Sequence, residues 1–137
     1  TQRTSSAASD VYKRQKSAIL LSPWNGSVLN SGISNVSIPT LVLTGDVDDT
    51  TVISEVNNTS YQLGANLVNY AIFNNSGHYA FAPIGCAARG CDGLLDISIS
   101  TDLANITSII FLAQQLKWPD SELYEWPDSE HIAWKYD

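Results

Sequence analysis

Ser37–Val52, SIPTLVLTGDVDDTTV, and Asn74–His78, NNSGH, decide the reading of this chain. In the first stretch a proline opens a short β-branched and leucine run, a glycine closes it, and three aspartates, Asp46, Asp48 and Asp49, follow at once. Thr40–Thr44 is continuous in its apolar character, as strands buried on both faces of a parallel sheet are, and Pro39 suits the position just before a strand. A second run, Asn66–Phe73 (NLVNYAIF), ends in the Gly77-His78 pair. Two strand ends, one offering acids and the other a histidine, result. In open α/β sheets, functional groups collect at the carboxyl ends of strands.

Outward from these stretches the chain alternates. Ser17–Leu21 (SAILL) fits a short buried strand. Ser22–Asn35, rich in Ser, Asn and Gly, reads as a loop. Ile53–Leu63 carries Ile53, Val56, Tyr61 and Leu63 before Gly64, a modest helix with a C-terminal stop. Ser76–Ile99 reads as irregular. Thr101–Trp118 is the clearest helix, with Leu103, Ile106, Ile109, Ile110, Ala113 and Leu116 spaced by three and four, and Ser100 or Thr101 as its N-cap. The order strand, strand, helix, strand, helix predicts a parallel α/β sheet with flanking helices. Residues 119–137 hold two copies of WPDSE, too few for a repeat architecture, and read as an acidic aromatic arm on the surface.

Composition bounds the partners. The chain has 137 residues, 44% hydrophobic and 15% charged, with a net charge of −7. Four of the seven basic residues, Arg3, Lys13, Arg14 and Lys16, precede Ser17. An acidic body argues against nucleic acid or an anionic membrane as the main partner. No unbroken apolar run approaches membrane-spanning length, so no transmembrane segment is expected. Six of the ten asparagines lie in Asn-X-Ser/Thr sequons: Asn25, Asn35, Asn57, Asn58, Asn74 and Asn105. Chance alone would place about two there. The excess favours a glycosylating secretory pathway, with Asn25, Asn35, Asn58 and Asn105 as acceptors. Asn57 and Asn58 overlap, and Asn74 stands close to His78. Cys86 and Cys91 read either as two thiols or as a disulfide closing a small loop in an oxidising compartment.

The acids and the histidine together match two thirds of a serine-hydrolase triad, in which a carboxylate holds the imidazole and the imidazole takes the serine proton. Their chain order fits Ser, Asp, His. The pattern PTLVLTGDVDD, then a helix, then a strand and NNSGH, then a helix containing FLAQQL, resembles the C-terminal part of the α/β-hydrolase fold. It is most similar to its dienelactone-hydrolase, cutinase and platelet-activating-factor-acetylhydrolase-like branch. The resemblance covers residues 17–118. It implies carboxylic-ester hydrolysis of a small-molecule or lipid-like ester, with no cofactor and no metal. Asp48 matches the family acid by its distance from the strand-end glycine, and Asp49 is the alternative by its distance from the next apolar residue. His78 matches the catalytic histidine. Trp24 resembles the aromatic residue lining the acyl side of the pocket, and Tyr79 and Phe81 are further candidate walls. A Cys86–Cys91 disulfide would brace the loop after the histidine.

The nucleophile is missing from these residues. No Gly-x-Ser-x-Gly occurs, and neither Ser27 nor Ser34 sits between a strand and a helix. Thr1–Gln15 resembles translated library-adapter sequence, so residues 1–16 are set apart as an adapter-like or disordered arm and the natural chain is expected to extend upstream. The 137 residues alone are expected to lack esterase activity. Two other readings stand beside this one. Asp46-x-Asp48 matches the acid pair of a Mg²⁺-dependent phosphohydrolase, and a hydrolase-like domain can serve as a non-catalytic binding module.

Overall fold

Strand β2, Thr40–Gly45, is buried at every position because it is covered on both sides. Leu41 and Leu43 point to one face of the sheet and Val42 to the other, and each joins a separate core cluster. That two-sided burial is why the run carries no polar alternation. The structure, a computed structural model, describes residues 14–24 and 32–135.

Four strands lie in the order β1 (Ala18–Leu21), β2, β3 (Leu67–Phe73) and β4 (Ile132–Trp134). The first three are parallel, with Leu21 opposite Leu43 and Gly45 opposite Phe73. The fourth runs antiparallel to β3, with Ile132 opposite Phe73. Helix α1, Ile53–Leu63, crosses between β2 and β3 and buries Val56 and Leu63 against Val42 and Tyr70. Gly64 ends it at φ +54°, a left-handed turn that glycine enters without a Cβ clash. Helix α2, Pro83–Arg89, and helix α3, Ile97–Gln115, follow β3. On the other face, α3 sets Ala104 and Phe111 against Leu41, Leu43, Ala71, Phe73 and Ile132. The protein is broadly α/β, a small, mostly parallel sheet with helices on both faces.

Four features depart from the sequence expectations. The segment after Ser76 contains α2, whose first turn starts at Pro83, where a missing N–H costs nothing. Helix α3 begins a turn earlier than expected, at Asp96, whose carboxylate accepts the Ser98 amide at 2.8 Å. Its buried face is also rotated. Ser100, Ala104, Thr107 and Phe111 face inward, whereas on the expected side Ala113 is buried but Ile106, Ile109 and Leu116 remain about half exposed. Small inner residues bring the helix close to the sheet, and the Ser100 hydroxyl donates to the Ala80 carbonyl at 2.7 Å, which pins the rotation. Finally, the expected surface arm supplies β4 to the sheet.

Helix α3 is the one described helix whose length and composition would let it cross a membrane, with mean hydropathy 1.2. Part of that apolar content is the core face described above. Cys86 and Cys91 form a disulfide with their Cα atoms 5.2 Å apart. Residues 1–13 and 25–31, including the Asn25 sequon, lie outside the described residues. Asn35, Asn58 and Asn105 are exposed. Asn57 accepts the Lys135 ammonium at 2.6 Å, and Asn74 donates to the Glu130 carbonyl at 2.7 Å.

Candidate active site

Parallel pairing of β2 and β3 brings both carboxyl ends to one edge of the sheet, and hydrogen bonds continue past the strands. The Asp46 amide donates to the Phe73 carbonyl at 3.1 Å and the Val47 amide to the Ser76 carbonyl at 3.2 Å. In return, the Ser76 amide donates to the Asp46 carboxylate at 3.2 Å. The two loops are stitched so closely that a Cβ on Gly45 would run into the Ser76 carbonyl. Glycine at the strand end is therefore a packing requirement.

This stitching sets Asp48 against His78. The Asp48 Oδ2 atom lies 2.9 Å from His78 Nδ1. The carboxylate is buried, and the imidazole is 27% exposed. Asp48 Oδ1 accepts two backbone amides, Thr50 at 2.9 Å and Thr51 at 2.7 Å. Both acceptor oxygens are thus in use, which a buried carboxylate requires. Burial by itself pushes the Asp48 carboxyl up. The Thr51 amide, the Ser22 hydroxyl, His78 and the Thr50 amide outweigh it and hold the group below the usual aspartate value. With an ionised carboxylate on Nδ1, the neutral imidazole carries its proton there and turns an unprotonated Nε2 outward. Among the described residues Nε2 has no hydrogen-bond partner.

A cleft of about 400 Å³ opens at His78, bordered by Asp49, Thr50, Tyr79, Cys91 and Asp92. The disulfide loop reaches it because Asn75 ties that loop down, donating to the Gly93 carbonyl at 3.0 Å and accepting the Leu95 amide at 2.7 Å. The Tyr79 ring stands edge-on to the His78 ring, centroids 5.2 Å apart.

Of the two candidate acids, Asp48 meets the histidine. Asp49 is exposed at the cleft, its carboxylate 3.4 Å from the Thr50 hydroxyl. Tyr79 lines the cleft. Trp24 is 58% exposed and is not among the lining residues, and Phe81 packs inward against Phe73. Asp46 and Asp48 accept from different partners, and among the described residues no group of three or more His, Cys, Asp and Glu is placed to hold a metal ion. Sequence reasoning missed the buried pair Ser22 and Thr44 at the ends of β1 and β2, whose hydroxyls lie 3.3 Å apart. A serine at the end of a strand carries no pattern of its own, and its partner is chosen by tertiary packing.

A scan against protein-family models and a search of curated proteins found no match to this chain.

Proposed function

We propose that Asp48 and His78 are the acid and the general base of a serine-hydrolase relay acting on carboxylic esters, within an α/β-hydrolase fold. The observation that carries this reading is the 2.9 Å contact from a buried, ionised carboxylate to His78 Nδ1 beside an open cleft. A general base needs its outer nitrogen free at the reacting side and its inner nitrogen held in one tautomer. Asp48 does the second and the cleft permits the first. The nucleophilic serine and its oxyanion hole come from residues outside this chain. The serine proton passes to Nε2, and the resulting imidazolium is stabilised by Asp48. The substrate is a small-molecule or lipid-like ester, with Tyr79 as one wall of its site. The disulfide and the exposed sequon asparagines support a secretory setting.

The test extends the chain with its upstream coding sequence. The extended protein should label with a fluorophosphonate, and His78→Ala or Asp48→Asn should lower the labelling rate at least a hundredfold. The 137 residues alone should neither label nor hydrolyse esters. Fast labelling of the extended protein that survives both substitutions would overturn the assignment.

A further inference from the structure

Two sequons that present an exposed asparagine lie in helices, Asn58-Thr59-Ser60 on α1 and Asn105-Ile106-Thr107 on α3. Residues two apart in a helix point in directions about 200° apart. An asparagine on the outer face therefore sends its sequon hydroxyl to the core. Ser60 is 1% exposed and Thr107 is fully buried.

Neither hydroxyl has a partner in the fold. Among the described residues, the buried serine and threonine hydroxyls without a hydrogen-bond partner are those of Ser60, Thr101 and Thr107. Other inward hydroxyls do find partners. Thr59 donates to the Glu55 carbonyl at 3.0 Å, Thr40 to the Ile38 carbonyl at 3.0 Å and Ser100 to the Ala80 carbonyl at 2.7 Å. An unpaired buried hydroxyl destabilises a fold. Alanine at 60 and valine at 107 would fill nearly the same volume without that cost. A sequon, by contrast, needs a hydroxyl two residues after its asparagine.

The folded helices withhold that hydroxyl. A transferase must hold the asparagine amide and the hydroxyl in one active site. An extended chain allows this; α1 and α3 do not, because positions two apart share no helix face. Asn35 differs, since it and Ser37 are both exposed at the end of a short 3₁₀ turn.

We propose that Asn58 and Asn105 are N-glycosylated while the chain is still extended, before α1 and α3 form, and that the Ser60 and Thr107 hydroxyls serve that transfer. The co-reactant is an oligosaccharide carried on a lipid diphosphate. The asparagine amide nitrogen bonds to the first sugar carbon and gives up one proton. The bond from that carbon to the diphosphate oxygen breaks, and the lipid diphosphate leaves with the electron pair. This order of events rests on the secretory setting proposed above, not on the roles of Asp48 and His78.

The test offers the unglycosylated 137-residue chain to a eukaryotic oligosaccharyltransferase with that donor, beside peptides 53–64 and 101–113. The first peptide carries Asn57→Gln so that Asn58 alone can react, and mass spectrometry reads each asparagine. Both peptides should be modified. In the folded chain Asn35 should be modified, whereas Asn58 and Asn105 should react more slowly than in the peptides by about tenfold or more, because their helices must open first. Equal rates in chain and peptide overturn the order, and unmodified peptides overturn the sites. Ser60→Ala and Thr107→Val should abolish transfer in the peptides, yet the same substitutions in the unglycosylated chain should melt no lower than the parent. A lower melting point in either variant gives that hydroxyl a structural role and overturns its assignment. The chain extended with its upstream coding sequence and secreted from eukaryotic cells should carry glycans at Asn35, Asn58 and Asn105. A glycan at Asn35 without one at Asn105 overturns the proposal, and no glycan at any site overturns the secretory setting with it.

Discussion

Asp48 and Asp49 are adjacent aspartates with opposite fates. Asp49 is solvated at the cleft, and Asp48 is 4% exposed with hydrogen bonds on both oxygens. The difference has a consequence for stability. The folded-state pKa of Asp48 is lowered from its ordinary value, so the unfolded chain binds the proton more readily. The stabilisation is therefore fully present above an unfolded aspartate's pKa of about 3.9 and is lost as pH falls through the depressed folded value. Urea unfolding of the parent should lose midpoint more steeply below about pH 4 than that of Asp48→Asn. Equal acid slopes in the two proteins would show that Asp48 carries no linked proton. Asp96 is also lowered, chiefly by the Ser98 hydroxyl, but it is fully exposed and common to both proteins, so it cancels in the comparison. That a carboxylate follows the strand end was legible in sequence. Which of the two adjacent aspartates turns inward was open, because both stand at the same loop and the choice depends on where His78 arrives from 30 residues away.

Helix α3 shows the same limit at the next scale. Its existence was plain from the three-and-four spacing of apolar residues, but its inner face was not. A hydrophobic count favours the isoleucines, whereas the sheet selects small residues that allow close approach and one large ring to fill the space between. Phe111 is fully buried in the larger core cluster, and Ile109 is 54% exposed. Phe111→Ala should destabilise the fold by about 3–5 kcal/mol. By contrast, Ile109→Ala should stay within about 0.5 kcal/mol. Chemical denaturation of the two variants checks this, and similar losses in both would mean the helix is rotated toward the face its isoleucines suggest.

Across the whole molecule, the sheet closes with the last strand in the chain. The second WPDSE copy builds the turn into it. Pro127 accepts the Trp134 indole N–H at 3.1 Å, Ser129 accepts the Ile132 amide at 3.0 Å through its carbonyl, and the Trp126 and Trp134 rings pack 5.2 Å apart. In the first copy, Asp120 takes a left-handed φ of 58° at the turn that leaves α3. One pentapeptide thus serves two turns with different surroundings. Ile132 is 8% exposed among Leu41, Leu43, Ala71 and Phe73, so it seals the α3 side of the core. Ile132→Ala should cost about 2–5 kcal/mol in an unfolding titration. A loss below about 0.5 kcal/mol would leave β4 as a surface attachment rather than a core strand.

The sequence by itself determined the parallel strands, the crossover helix with its glycine stop, and the two strand ends that bear Asp48 and His78. Those features follow from hydrophobic runs, local turn chemistry and chain order, which act over a few residues. Tertiary structure decided the choice of Asp48 over Asp49, the pairing of the Ser22 and Thr44 hydroxyls, the inner face of α3 and the place of β4. Each of these depends on a contact between residues far apart in the chain. Ser22 meets Thr44 across 22 positions, and Asn74 meets Glu130 across 56. Local propensity is nearly indifferent to such choices. Burial is not, because an inward polar group without a partner costs free energy and every inward volume must fit.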